Sequence, residues 1–245
     1  MSDQIPLICL GSGAALTDGR DWSSFLIDKR ILLDLPPTAI PQLHRLGVDF
    51  SQIETVFISH LHADHIFGLP FLLLEYCIRR CRERPMVIIG PSGIETITYQ
   101  LCDLAWPDMR EAGFEPNLPL QFIEVTQEGD YKADPLAFSA VPMAHFNLDA
   151  FGYRFEHKGR IIGFTGDTGE GTQLKALLTD VDVAILEMTH PCESTDPGHM
   201  NRPAVERLTP WLLAQGSAIF ATHMSATPEP IPGVTICEDG KTYWI

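Results

Sequence analysis

The sequence has little positive charge, with 17 lysines and arginines against 32 aspartates and glutamates, and its formal net charge is −15. Proteins that bind nucleic acid draw much of their affinity from lysine and arginine side chains at the phosphates. The charge balance therefore disfavours RNA as a partner, although it does not exclude a local basic patch. Part of the negative charge would be neutralised if carboxylates held divalent cations.

Long apolar runs are also absent, since no stretch reaches the roughly 18 to 20 residues that a membrane-spanning helix needs. The segment from Met1 to Gln4 lacks the basic region and the apolar stretch of a secretory signal. The 6 cysteines are scattered and include no Cys-x-x-Cys pair, which is typical of reduced thiols rather than of a disulfide framework. These absences predict a cytoplasmic protein with no membrane partner.

The length of 245 residues suits one large domain or two small ones. Short β-branched and aromatic runs punctuated by glycine and proline predict strands at 5–10, 24–28, 30–35, 55–59, 136–142, 151–156, 160–164, 183–187, 218–222, 234–237 and 242–244. Longer periodic segments predict helices at 65–82, 93–104, 172–178 and 203–214. The last two strands are predicted to form a hairpin turned by Asp239-Gly240. This order fits a layered α/β domain with helices outside packed sheets.

The strongest motif is the segment from His60 to His65, which reads His-Leu-His-Ala-Asp-His and follows a predicted strand. Residues two apart on an extended chain point the same way, so His60 and His62 can hold one ion. As the chain bends into a helix, Asp64 and His65 turn toward a neighbouring position. Imidazole and carboxylate together suit zinc, with manganese and iron as alternatives. The alternative interpretation is a set of packed polar residues at a strand end.

One hexapeptide cannot fill two coordination shells, so distant ligands are expected. Three candidates follow predicted strands, namely His145, Asp167 and His223. Gly166 permits a tight turn just before the aspartate. Each residue alone would as readily be a surface or capping residue. Together with the hexapeptide they predict a site for two metal ions.

At this point the chain resembles the metallo-β-lactamase superfamily of hydrolases, and it is most similar to the branch that contains ribonuclease Z, the tRNA 3′-processing endonuclease, and related phosphodiesterases. The resemblance runs nearly end to end. The matching segments, besides the hexapeptide and His145, are 10–15, 23–27, 32–34, 166–168, 198–200 and 222–225. The resemblance implies a single domain over residues 1–245, folded as a four-layer αββα sandwich with the metals at one edge. It also implies homodimers, since many relatives of this type form dimers.

The resemblance assigns a role to each candidate ligand. The ligands implied for the first metal are His60, His62 and His145. Those implied for the second are Asp64, His65 and His223, and Asp167 would bridge the two. Two such ions can share a water and lower its pKa toward neutrality, which gives a bridging hydroxide as the nucleophile. Asp64 would in addition relay the proton of the nucleophile.

Several polar residues near the ligands are candidates for supporting roles. Asp34 would orient a ligand histidine, or alternatively cap the turn at Pro36-Pro37. The ribonuclease Z pattern His-Glu-Ala-Thr is here Leu186-Glu187-Met188-Thr189, so its histidine is missing. His190 and His199 are possible substitutes for this proton-relay histidine, and His199 is the candidate catalytic residue, with a helix-capping role as its alternative. Further candidates to support a ligand or contact substrate are Thr168, Glu187 and Ser225.

Two further departures concern the substrate. The Asp-x-Gly turn of ribonuclease Z is replaced by Asp34-Leu35-Pro36, and its basic, glycine-rich arm has no visible counterpart. The basic cluster Arg79, Arg80, Arg82 and Arg84 is either a solvated helix end, which the helix dipole favours, or a phosphate-binding patch.

We therefore expect a small or cyclic phosphodiester as the substrate. The alternatives are tRNA 3′ processing, hydrolysis of a lactone, ester or thioester, and a metal-binding regulatory protein without turnover. The complete ligand set argues against the last of these, because a degenerate site usually loses ligands.

Overall fold

The computed structural model describes residues 4–79, 84–108, 120–134 and 136–245. The strands of these segments are β1 (Pro6–Gly11), β2 (Ser24–Ile27), β3 (Ile31–Leu33), β4 (Thr55–Phe57), β5 (Met86–Pro91), β6 (Leu120–Val125), β7 (Gly129–Ala133), β8 (Leu136–Pro142), β9 (Phe151–His157), β10 (Arg160–Phe164), β11 (Val183–Glu187), β12 (Ala218–Thr222), β13 (Val234–Ile236) and β14 (Thr242–Trp244). The helices are α1 (Ala39–Arg45), α2 (Ala63–Ile66), α3 (Leu69–Arg79), α4 (Ile94–Ala105), α5 (Gln173–Leu178) and α6 (Arg202–Ala214), with a 3-10 turn at Phe50–Gln52. No described helix is long and apolar enough to cross a membrane.

The strands form two seven-stranded sheets, ordered β14-β1-β2-β3-β4-β5-β6 and β13-β12-β11-β10-β9-β8-β7. In the first sheet the neighbours from β3 to β6 are parallel, and in the second those from β10 to β13 are parallel. The remaining neighbours are antiparallel. Because ligands of open α/β sheets bind beyond the carboxyl ends of parallel strands, this arrangement places two sets of loops where a site can form.

Three apolar clusters separate four layers. Side chains alternate along β1, so that Leu7 faces the cluster between the sheets and Ile8 faces the helices. Phe57 of the first sheet meets the second sheet directly, with its ring centroid 4.9 Å from that of Tyr153 and 5.0 Å from that of Phe155. Helices α1, α3 and α4 cover the outer face of the first sheet, and α5 and α6 cover that of the second. The predicted four-layer αββα sandwich is confirmed.

The predicted C-terminal hairpin is wrong. β13 pairs with β12 of the second sheet, whereas β14 pairs with β1 of the first, so the chain crosses between the sheets at Asp239. The Asp239 carboxylate accepts hydrogen bonds from the backbone and hydroxyl of Ser12 and from the backbone of Asp21. These bonds fix the crossing segment on the first sheet, and the turn at Gly240 therefore connects two layers.

The predicted helix at 65–82 is two helices, α2 and α3. The break lies at Gly68, whose backbone N–H donates to the carbonyl of Leu35 at 2.8 Å, while the N–H of Leu35 donates to His65 at 2.7 Å. This exchange ties the break to the loop after β3.

The basic cluster at the end of α3 is only partly described, because Arg80 and Arg82 lie outside the described residues. Arg79 forms an ion pair with Glu75 within the helix. Since α3 has 11 residues and a helix rises about 1.5 Å per residue, Arg79 lies about 15 Å from the start of the helix. The described part of the cluster thus favours the solvated helix end.

Candidate metal centre

The candidate ligands outside the hexapeptide lie on loops that follow strands of the second sheet, and the hexapeptide follows β4 of the first. Strands β8, β10 and β12 lead into three buried side chains, which are His145, Asp167 and His223. The loop after β10 approaches the first sheet closely. Gly166 has a φ of 57°, and a Cβ placed on it would lie 2.4 Å from the Cβ of Ser59. Only glycine allows the loop that carries Asp167 to pass there.

The structure brings the predicted ligands of each metal together. In the first cluster, His60, His62 and His145 each offer a ring nitrogen within 4.8 Å of the others. The Nε2 atom of His145 lies 3.2 Å from Nδ1 of His62. In the second cluster, one ligand atom each from Asp64, His65 and His223 meets the same limit. Both clusters combine residues that follow the first sheet with residues that follow the second.

Asp167 lies between the two clusters. Its Oδ2 atom is 3.8 Å from Nε2 of His60, 3.4 Å from Nε2 of His65 and 3.2 Å from Nε2 of His223. One carboxylate oxygen therefore faces histidines of both predicted metals, as a bridging ligand would.

The three nitrogens that face Asp167 lack any hydrogen bond. His60, His65 and His223 each carry a buried Nε2 atom without a partner. Buried polar atoms are nearly always satisfied, and leaving one unsatisfied costs about 1–3 kcal/mol. Divalent cations that accept these lone pairs would remove that cost. The donor set of imidazole nitrogens and carboxylate oxygens fits zinc, manganese or iron.

Buried Asp34 holds two of the histidines from behind. Nδ1–H of His65 donates to its carboxylate at 2.8 Å. The hydroxyl of Ser59 donates to the same carboxylate at 2.8 Å and contacts Nδ1 of His60 at 3.0 Å. Such bonds fix the ring nitrogen that remains free for a metal. All hydrogen bonds that the structure gives the Asp34 carboxylate go to Ser59 or His65, which supports the orienting role over capping of the turn at Pro36.

Buried Glu187 holds two further histidines, His223 and His199. Its Oε2 atom accepts from the hydroxyl of Thr189 at 2.9 Å, and that hydroxyl contacts Nδ1 of His223 at 2.8 Å. Its Oε1 atom accepts from Nδ1 of His199 at 3.0 Å. Each of the two carboxylates therefore holds one histidine directly and a second histidine through a hydroxyl.

The protonation of most ligands suits metal binding. Burial alone would raise the pKa of Asp64 and of Asp167, but His223 and His65 outweigh it and hold both pKa values below the usual range. Burial lowers the pKa of His60. Burial would also lower the pKa of His65, but Asp167 and Asp34 outweigh it and raise this pKa. A cation bound by His65 would therefore release a proton from this ring.

His199 lies beside the ligands but is only half-buried. Its ring stacks on that of His223, with the centroids 5.5 Å apart, and its Nδ1 is 3.9 Å from Oδ2 of Asp167. Burial would lower the pKa of His199, but the hydrogen bond that its ring donates to Glu187 outweighs burial and raises the pKa to about 8. The imidazole is therefore available as a proton donor near neutral pH.

The capping role weighed for His199 is wrong, because Asn201 accepts from the N–H of Ala204 at 2.9 Å and caps α6. His190 pairs instead with Asp196 at 3.0 Å, and its ring centroid lies 6.2 Å from that of His199. Of the two possible substitutes for the missing proton-relay histidine, His199 lies at the ligand clusters and His190 does not.

Thr168 and Ser225, predicted to support a ligand or to contact substrate, use their hydroxyls for bonds to the backbone of neighbouring loops. Thr168 is buried, and its hydroxyl donates to the carbonyl of Gly169 at 2.9 Å and accepts from the N–H of Ala144 at 3.2 Å. The hydroxyl of Ser225 donates to the carbonyl of Thr189 at 2.7 Å. Both hydroxyls fix loops around the clusters.

Sequence analysis missed Ser59 and Thr189 as supports. Ser59 directly precedes the hexapeptide, and this position could have indicated a role in supporting the ligands. Thr189 contacts a histidine 34 residues away in the sequence, and no local pattern reports such a contact.

Replacing Asp34 with asparagine is expected to weaken zinc binding or turnover about 10- to 100-fold, as loss of a support behind a ligand histidine typically does. The carboxylate accepts from the backbone N–H of Ser59 at Oδ1 and from the Ser59 hydroxyl and His65 at Oδ2, whereas an amide has only one accepting oxygen. Zinc affinity measured by competition with a chromophoric chelator tests this. The matched control is Asp49→Asn, at an exposed residue that caps the 3-10 turn through Ser51. Equal affinity of the two variants would contradict the orienting role.

Comparison with known proteins gives one family and several relatives. The sequence model of the family described as "Anti-Pycsar protein Apyc1" matches residues 5–207. Ribonuclease Z of Staphylococcus epidermidis is 31% identical over 125 residues, which cover 51% of this chain and 38% of that protein. The chain thus spans less than two-fifths of the length of this curated relative.

Solved structures share the fold over nearly the whole chain. The short form of human tRNase Z matches with a TM-score of 0.73 and 22% identity, over 97% of this chain and 98% of that one. The metallo-β-lactamase fold protein YhfI from Bacillus subtilis matches with a TM-score of 0.74 and 16% identity, over 99% and 100%. At these low identities, the structural similarity shows a shared fold.

Proposed function

Because the chain belongs to the Anti-Pycsar protein Apyc1 family, we propose that it hydrolyses a small or cyclic phosphodiester with two divalent metal ions. Its relatives belong to the ribonuclease Z and phosphodiesterase branch of the metallo-β-lactamase superfamily. The observation that carries the proposal is the group of buried imidazole nitrogens without partners around Asp167. Cytoplasmic location and homodimers are further predictions from the sequence.

The proposed ligands divide into two sets. His60, His62 and His145 would hold one ion. Asp64, His65 and His223 would hold the other, and Asp167 would contact both. Bound there, two divalent ions would lower the pKa of a water molecule and withdraw negative charge from the phosphoryl oxygens. Zinc is the first candidate, with manganese and iron as alternatives.

The chain itself would supply the proton transfers. His199, which lies beside Asp167 and donates a hydrogen bond to Glu187, would protonate the departing alkoxide. Asp64, which its lowered pKa keeps ionised, would accept a hydrogen bond from the attacking water. Because the same low pKa makes it a weak base, it would pass the proton on rather than hold it. A positioned acid or base of this kind contributes about 10²–10⁴-fold to a rate.

The charge of the site loops favours a small substrate over RNA. Residues 60–66, 144–148, 166–171, 196–200 and 222–226 contain no lysine or arginine. An extended polyanion gains its affinity from many cationic contacts at its phosphates, and these loops offer none. A single phosphodiester anion needs only the metal ions to neutralise it.

The test is turnover by metal-loaded protein of four substrates, namely bis-p-nitrophenyl phosphate, a nucleoside 3′,5′-cyclic phosphate, a lactone and a precursor tRNA. Hydrolysis of the diesters without tRNA cleavage supports the proposal. Cleavage of the tRNA at its 3′ side would favour a ribonuclease Z-like endonuclease, for which the similarity to that enzyme is the reason. Hydrolysis of the lactone alone would favour an ester or thioester substrate. No turnover by metal-bound protein would favour a regulatory role.

Removing the metals with a chelator is expected to abolish turnover and to lower the melting temperature. An ion that binds only the folded chain stabilises it by about 2.7 kcal/mol when its concentration is a hundred times its dissociation constant. Activity and thermal unfolding are measured before and after chelation, and after zinc or manganese is restored. Chelator already saturated with metal is the control. Full activity in metal-free protein would contradict a metal-dependent reaction.

A further inference from the structure

The backbone of His223 has an unusual conformation for a proposed metal ligand. Its φ is 56°, and among the proposed ligands, all of which the structure describes, only His223 adopts this left-handed region. Such a conformation is uncommon for a residue other than glycine, and it persists where the surrounding structure determines it. The ring that it directs has its Nε2 atom 3.2 Å from Oδ2 of Asp167 and 3.6 Å from Oδ2 of Asp64. The groups that hold this backbone therefore hold one ligand of the second ion.

A loop of the first sheet contacts the chain on the N-terminal side of His223. This β1–β2 loop comprises residues 12–23, which lie between β1 and β2. The hydroxyl of Ser23 lies 2.9 Å from that of Thr222, the last residue of β12 in the second sheet, and both residues are buried. Removing the hydroxyl of Ser23 would take this partner from a buried polar group, which is costly.

The same loop contacts the chain on the C-terminal side of His223, where three bonds hold Met224. The N–H of Met224 donates to the carbonyl of Ser12 at 2.9 Å. Its carbonyl accepts from the N–H of Ala14 at 3.1 Å and from the hydroxyl of Thr17 at 2.9 Å. Both backbone groups of Met224 are thus bound to the first sheet, and Thr17 supplies the side chain among these three bonds.

We propose that Thr17 and Ser23 are positioning residues, through which the β1–β2 loop holds His223 in its left-handed conformation and so sets the affinity of the chain for the second metal ion. This inference rests on the proposed function, which places that ion at His223. Thr189 contacts the ring of the histidine, whereas Thr17 and Ser23 bond to the residues on either side of it. Since the loop belongs to the first sheet and His223 follows the second, the packing of the two sheets would organise this ligand before any ion binds.

The first experiment measures the two zinc dissociation constants of the full chain by competition with a chromophoric chelator. His223→Ala identifies the constant of the second ion, because it should lose that ion. Thr17→Val keeps the shape of the side chain without its hydroxyl, and the affinity for the second ion is expected to fall about 3- to 10-fold, the effect of one hydrogen bond. Ser23→Ala should weaken the same ion. The double variant should lose about 10- to 100-fold, as when a support of a metal ligand is removed.

Two further variants separate positioning from general stability. Thr17→Ser retains the hydroxyl and should restore the wild-type affinity. The matched control is Thr98→Val, because the hydroxyl of Thr98 also donates to a backbone carbonyl, that of Ile94, at 2.7 Å within α4. This control should lower the melting temperature of the metal-free chain and leave both zinc constants unchanged. An equal loss of affinity in Thr98→Val and Thr17→Val would overturn the proposal, and so would wild-type affinity in the double variant.

The second experiment reports the geometry of the ligands without turnover. The visible absorption spectrum of the chain loaded with cobalt(II) depends on how the ligands surround each ion. The double variant is expected to change this spectrum, whereas Thr17→Ser and Thr98→Val should keep that of the wild type. An unchanged spectrum in the double variant would contradict the proposal, since the ligand would not have moved.

The same measurements distinguish failure of this inference from failure of the proposed function. If the wild type binds two ions and hydrolyses no phosphodiester, the proposed function fails, and the zinc constants and the cobalt spectrum still decide the positioning. If the wild type binds fewer than two ions, both proposals fail.

Discussion

Replacing Asp167 with alanine is expected to lower phosphodiester hydrolysis by about 10³-fold or more and to reduce the bound metal from two ions per chain to less than one. One oxygen of this carboxylate lies within 3.8 Å of the Nε2 atoms of His60, His65 and His223. Its loss removes the group shared by both ligand clusters. Turnover of bis-p-nitrophenyl phosphate and metal analysis of the purified variant measure the two effects.

The fold should survive this substitution, because Asp167 takes no part in the three apolar clusters that join the layers. Circular dichroism checks this. The control is Asp130→Ala, at an aspartate of β7 that accepts a hydrogen bond from Ser139. His62→Ala should act in the same direction, with the loss confined to the first ion. An Asp167→Ala variant that retains both ions and full turnover would refute the ligand assignment.

Replacing His199 with alanine is expected to leave both metals bound and to lower kcat by about 10²–10⁴-fold for a diester that must release an alkoxide. A p-nitrophenolate leaving group departs without protonation, so the loss with bis-p-nitrophenyl phosphate should be much smaller. The difference between the two losses isolates proton donation from any general damage. It is obtained from the kcat of wild type and variant on both substrates.

His190→Ala is the matched control for this experiment, since His190 pairs with Asp196 and its ring centroid lies 6.2 Å from that of His199. It should retain turnover of both substrates. If kcat of His199→Ala fell equally on both substrates, His199 would act in metal binding or packing, and its role as an acid would be excluded.

Strands with strong local signals could be predicted from the sequence. Apolar runs bounded by turn residues gave β8, β10, β11, β12 and β14 at their observed bounds. Among them β11 is fully buried and β10 and β12 are mostly buried, and such strands read as continuous apolar segments. Helix α1 was missed because Pro41 lies inside it, and β6 and β7 were missed because they are mostly half-exposed and mix polar with apolar residues.

Contacts between distant segments could not be predicted in the same way. Asp239-Gly240 has the local chemistry of a hairpin turn, but bonds to Ser12 and Asp21 lead the chain into the other sheet. The hexapeptide was found because its donors adjoin one another. The hydroxyl of Thr189, which contacts His223 across 34 residues, has no such local mark.

Each ligand cluster takes side chains from both halves of the sandwich: His60 and His62 face His145, and Asp64 and His65 face His223. Cations bound at these positions would clamp the two sheets together along one edge. Separating the halves would then require breaking bonds to the ions. Unfolding and metal release would then share one kinetic barrier, and both would be slow.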